Sequence, residues 1–176
     1  MIIGEALRRV LNGLTLTTPK GENLTINFHY GDQKELNHWL YIRQKNQSLK
    51  YPLVWYVIND KTPMARDKYR VSSQLIIFVK SEFEWLNTTR ANTSYYDIVE
   101  PVHALVESTL RRHANITILN ASNGLTYKDE PKYGVEVSNE SDFSSTNAKG
   151  TKSVATDLVD ARILKIEMII KPSCII

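Results

Sequence analysis

The sequence predicts an α+β fold: a mixed or antiparallel sheet flanked by an N-terminal helix and one long central helix, with a long hairpin or loop excursion. Three observations carry that expectation. "MIIGEALRRVLNGL" repeats apolar residues at helical spacing; "YPLVWYVI" and "LIIFV", within residues 51–79, are apolar on both strand faces; and "DARILKIEMIIK" alternates over a full strand length.

In the first segment Ile3, Ala6, Leu7, Val10, Leu11 and Leu14 share one helical face, and Glu5, Arg8 and Arg9 the other. Gly21 then breaks toward a strand, "NLTINFHY", which sets Leu24, Ile26 and Phe28 against Thr25, Asn27 and His29. Asp32 with Glu35 three residues later has the spacing of a capping box, so a short helix through Leu36, Trp39 and Leu40 is expected, fading near Gln44.

Because both faces of "YPLVWYVI" and "LIIFV" are apolar, these are expected to be interior strands. A sheet covered on both faces needs helices on both sides or a neighbouring subunit on one of them. The loop between them carries Lys61, Arg66, Lys68 and Arg70, diluted by Asp60 and Asp67.

Asp97 and Glu100 repeat the capping-box spacing ahead of Ile98, Val102, Leu105, Val106, Thr109 and Leu110, the stripe of a long helix. Pro101 then falls in or just after the first turn, and "RRH" sets cations at the negative end of the helix dipole. "NITIL" reads as the next strand. Residues 120–156 are rich in Ser, Asn and turn formers, with only "YGVEV" strand-like, so they form an extended arm within a single domain spanning 1–176. Ser138 to Ser153 hold little apolar area to offset an ordering cost of ~1–2 kcal/mol per residue, and are expected to order only against neighbours. In the closing strand Arg162 shares a face with Leu164, Ile166, Met168 and Ile170.

With 42% hydrophobic residues in 176, the chain can bury a substantial core, which excludes a fully disordered protein. A net charge of +3 is too small for a histone-like polycation but leaves room for a local basic patch. The single cysteine, Cys174, has no partner in the chain, which fits a reducing compartment; no membrane span is expected.

Chemistry is sparsely signalled. His29, His38, His103 and His113 have no metal-ligand spacing, and no nucleophile-elbow or phosphate-cradling motif occurs. Neither a cofactor, nor a metal, nor a catalytic residue is expected. Glu130-Pro131-Lys132 has the carboxylate-x-lysine spacing of metal-dependent nucleases, but Pro131 sits between them in a turn-rich segment. The cations of residues 61–70 fit either a solvated turn that keeps an apolar hairpin soluble or a contact with phosphates or acidic side chains.

The order of "MIIGEALRRVLNGL", "YPLVWYVI", "LIIFV", "DIVEPVHALVESTL" and "LVDARILKIEMII" resembles that of the tail-terminator or tail-completion proteins in the head-to-tail joining apparatus of tailed bacteriophages. The wording is also similar to neck ring proteins of crAss-like phages of gut bacteria. The resemblance implies a structural subunit of the virion neck or tail, assembled in the host cytoplasm and closing into a six-fold or twelve-fold ring around the DNA path. Its partners would be copies of itself, adjacent connector or tail rings, and genomic DNA touched non-specifically in the lumen. Lys61, Arg66, Lys68 and Arg70 would then recur as a collar facing the DNA channel or docking an adjoining ring. The alternative is a small nucleic-acid-binding or metal-dependent nuclease domain using the basic loop 61–70, with Glu130 and Lys132 catalytic.

Overall fold

A computed structural model of the chain describes residues 3–32, 34–36, 51–59, 61–65, 67–82, 84–120, 124–133 and 159–175. The elements are α1 (Ile3–Leu11), β1 (Thr15–Thr17), β2 (Asn23–Thr25), β3 (Asn27–Gly31), β4 (Leu53–Val57), β5 (Lys61–Ala65), β6 (Lys68–Lys80), a long helix α2 over residues 87–112, β7 (Ile116–Ile118), β8 (Tyr127–Glu130) and β9 (Val159–Ile170). This is the α+β class expected, with a mixed sheet, an N-terminal helix and a long central helix.

The sheet is built around β6 and β9, paired antiparallel from Tyr69↔Ile170 to Lys80↔Val159. β4 flanks one end of β6 and β5 the other, while β3 adds to β4 in parallel; β7 and β8 flank the two ends of β9. β1 and β2 form a separate antiparallel ribbon. The single strand expected over "NLTINFHY" is therefore two strands in two sheets, broken at Ile26. There the Ile26 N–H turns to the Leu14 carbonyl at 2.8 Å and its carbonyl accepts from Gly13 at 2.9 Å.

Ala6, Leu7 and Leu11 of α1 and Val102, Val106 and Leu110 of α2 bury against Phe28, Val54, Leu75, Ile77, Leu164, Ile166 and Met168. Gly4 lets α1 seat directly on the Tyr30 ring, since a Cβ there would overlap it. The opposite sheet face is divided. At the Val159 end Leu36, Leu53, Trp55, Ile76, Phe78, Val159 and Ala161 form a second core, with Tyr133 edge-on to Phe78. Toward the other end the same face is polar, carrying Arg70, Ser72, Gln74, Lys165 and Glu167. Two-sided cover is thus needed over only part of the sheet.

The capping box at Asp32 forms as expected: Asp32 N–H donates to Glu35 Oε2 and Glu35 N–H to Asp32 Oδ1, both at 2.8 Å. The rest of the helix expected there, with Trp39, Leu40 and Gln44, falls outside the described residues. So does "YGVEV" beyond Tyr133, and so does Ser138 to Ser153.

The central helix departs from its expected start. It begins at Asn87, runs as a π-helix from Ala91 to Val99, and continues as an α-helix from Glu100 to Arg112. Asp97 is therefore a buried mid-helix residue paired with Lys20, not a cap, and Pro101 lies in the interior. The wide turn supplies the reason. The Glu100 N–H reaches back five residues to the Tyr95 carbonyl, and this longer reach loosens the turn into which the Pro101 ring must fit. The helix ends at the expected cations, Arg111 and Arg112.

Candidate functional site

The basic segment is not a loop. Lys61–Ala65 is an edge strand paired with Lys68–Val71, with a bulge between Pro63 and Ala65 and a turn whose Asp67 has φ 57°. Every residue of β5 is exposed. Because strand side chains alternate, Lys61 opposite Val71 lies on the helix side of the sheet, where its Nζ sits 4.6 Å from the Tyr69 ring centroid. Arg70 points to the other face and pairs with Glu167, its Nε at 2.9 Å. Lys68 is exposed and has no ion-pair partner among the described residues; Arg66 lies outside them. Within one subunit the described cations are divided: strand alternation places Lys61 on one face and Lys68 and Arg70 on the other, and Arg70 is paired with Glu167. Pro63 and the bulge also guard this edge against strand addition, which leaves its side chains rather than its backbone as the surface it offers.

Glu130 and Lys132 do not converge on a site. Glu130 closes β8, a strand the turn-rich composition did not suggest, and its Oε1 accepts from Lys128 Nζ at 2.6 Å. Lys132 follows in a turn at φ 55°, donating its backbone N–H to Asp160 Oδ1 at 3.0 Å. Among the described residues no three His, Cys, Asp or Glu side chains gather as a metal site.

The structure instead brings together two buried charge clusters absent from the sequence reading. Asp160, fully buried on β9, accepts from Arg90 Nη1, from Ser94 Oγ at 2.7 Å and from the Lys132 N–H. Arg90 also donates to the Glu82 carbonyl at 3.0 Å. The first turns of α2, the approach to it and the turn after β8 are thereby pinned to one carboxylate. Burial, with Asp160 and Asp129 nearby, pushes the Tyr95 hydroxyl pKa well up, so it stays protonated while lying 3.4 Å from the Ala161 carbonyl.

Two residues along β9, Arg162 is clamped by Asp129 at 2.6 and 2.9 Å and by Glu100 at 2.8 Å, with the Tyr127 ring 3.9 Å from the guanidinium carbon. Burial lowers its pKa, but Asp129 and Glu100 more than reverse that and hold the charge firmly. His103 Nδ1 lies 3.3 Å from Arg162 Nη1 and accepts from it, which leaves the ring proton on Nε2. Nε2 faces Glu107 Oε2 at 3.3 Å, outside hydrogen-bond geometry. Burial and then the Arg162 charge lower the His103 pKa, only partly offset by Glu107 and Glu100.

A pH dependence follows. The folded state resists protonating His103, whereas the unfolded chain takes that proton near ~6.5. The contribution is fully present above that pH and is lost as pH falls through the lowered folded value. Between pH 7.5 and 5.5 the urea midpoint should decline, and in His103→Gln it should decline less. Equal declines in the two proteins would show that His103 does not carry the effect.

Fold and clusters together define an α+β protein in which buried ion pairs lock a long helix to the central strand, leaving an exposed cationic ribbon at one end. No family model matches the chain, and no curated protein and no solved structure is significantly similar to it.

Proposed function

We propose that the chain is a structural subunit of a phage head-to-tail connector, closing into a ring around the DNA path and joining or capping neighbouring neck or tail rings. The ribbon of β5 and the start of β6 carries this reading. It is the one edge of the described sheet where cations stand exposed on both faces with backbone pairing discouraged, which suits side-chain docking on a charged partner. The element order agrees with it: α1, β4, β6, α2 and β9 build one sheet and its helix layer in the order on which the resemblance rests. The buried clusters fit a subunit that must keep its shape under assembly, since each ties α2 to β9, through Arg90–Asp160 and through Glu100–Arg162.

Solution mass is the test. Native mass spectrometry should find six or twelve times 20.2 kDa, alone or with a neighbouring connector protein, and micrographs should show rings. A monomer under all these conditions would sink the reading. Divalent-metal-dependent DNA cleavage, lost on Glu130→Ala, would favour the nuclease alternative instead.

A further inference from the structure

We infer that the ribbon tip docks on the opposite pole of a second copy of this chain, at Glu82, Glu84 and Leu86, so that subunits join head to tail. This rests on the assembly reading above and names its contact.

β6 is a single 13-residue strand, about 43 Å long at ~3.3 Å per residue. At its first end stand Lys61 and Lys68, with Met64, 53% exposed, between them on the ribbon. At its last end stand Glu82 and Glu84, both exposed, followed by Leu86 at 72% exposure. Neither carboxylate has an ion-pair partner among the described residues. Each pole thus combines a small net charge with an exposed apolar side chain, and the net signs are opposite. The balance at each is modest: Asp67 sits in the tip turn, and Lys80 closes the strand before Glu82.

The backbone of the acidic pole is anchored at the Glu82 carbonyl. Trp85 N–H donates to the Glu82 carbonyl at 3.3 Å, and the Arg90 guanidinium, itself held by Asp160, takes the Glu82 carbonyl at 3.0 Å. A rigid strand separates the poles, so they cannot meet within one subunit. Contact between two copies is heterologous, using different patches on each, and such contacts close into rings when the rotation allows. Glu82 and Glu84 then supply the acidic partner for Lys61 and Lys68, with Met64 against Leu86.

Charge reversal at each pole tests this. Lys61→Glu with Lys68→Glu gives a subunit acidic at both poles; Glu82→Lys with Glu84→Lys gives one basic at both. All four positions are exposed, so melting curves should stay close to wild type, the loss of the Lys61 contact with the Tyr69 ring being the main change. Each variant alone should lose the assembled mass at concentrations where wild type holds it, and an equimolar mixture should regain it, alternating the two subunits. Wild-type assembly should also dissociate toward 1 M salt, where the Debye length shrinks to ~3 Å. Reversed variants that assemble as well as wild type, or a mixture that stays monomeric, would overturn the inference while leaving ring formation standing. A wild type that is monomeric throughout removes both.

Discussion

Asp160→Ala is expected to destabilise the protein by about 3–5 kcal/mol, the usual cost of removing one member of a buried ion pair. The loss is large because Arg90 is only 3% exposed and cannot reach water when its carboxylate disappears. The Glu82 carbonyl at 3.0 Å solvates part of the guanidinium, but its charge remains uncompensated. Ser94 and the Lys132 N–H lose their acceptor in the same step. Against a typical total of about 5–15 kcal/mol, this leaves little margin. Asp160→Asn keeps an oxygen acceptor for Arg90 and the Lys132 N–H but leaves the guanidinium charge uncompensated, so it should recover only part of the loss. Urea denaturation gives both values, and a loss below about 1 kcal/mol in the alanine variant would mean that water reaches Arg90 in solution.

The legible parts of this fold are those whose partner is simply apolar. α1 announces itself because Ala6, Leu7 and Leu11 need only a hydrophobic surface, and β9 because Leu164, Ile166, Met168 and Ile170 alternate against one. β4 and the latter half of β6 read as interior strands because both their faces are apolar, and they are buried on both. What stayed hidden depends on partners far along the chain. β8 has no apolar alternation beyond Tyr127, and is a strand held by backbone pairing to β9 and by the grip of Asp129 on Arg162, 33 residues away. The central helix contains a false start: Asp97, Glu100 and Pro101 have the spacing of a helix beginning, yet Ser94 and Asp97 are spoken for by Asp160 and Lys20. One signal for the second cluster was present. Arg162 is in phase with four apolar residues on a buried strand face, and a charge there requires carboxylates from elsewhere. At the ribbon, the cations were visible but their distribution was not, because strand alternation and Glu167 decide which of them stay available.

Arg162→Ala provides the second large effect, about 2–4 kcal/mol, by a different route. Arg162 is 2% exposed, but its carboxylate partners are not sealed: Asp129 is 35% and Glu100 49% exposed. Once the guanidinium is gone both carboxylates can hydrate, so the stranded-charge cost that dominates at Asp160 is small. The loss comes instead from the cavity left by the buried stem and from the Tyr127 ring and β8, which no longer have anything to close upon. A double-mutant cycle with Asp129→Ala should return a coupling of about 0.5–3 kcal/mol. The same variant has a second readout. Arg162 is one of the charges holding the His103 proton off, so its removal should raise the His103 pKa toward the ordinary value. The stability decline between pH 7.5 and 5.5 should then flatten, because folded and unfolded chains would take the proton at more similar pH. An NMR titration of His103 follows this directly. An unshifted His103 together with a stability loss under about 1 kcal/mol would dissolve the cluster as a structural unit, leaving α2 held to β9 by its apolar stripe and by Asp160.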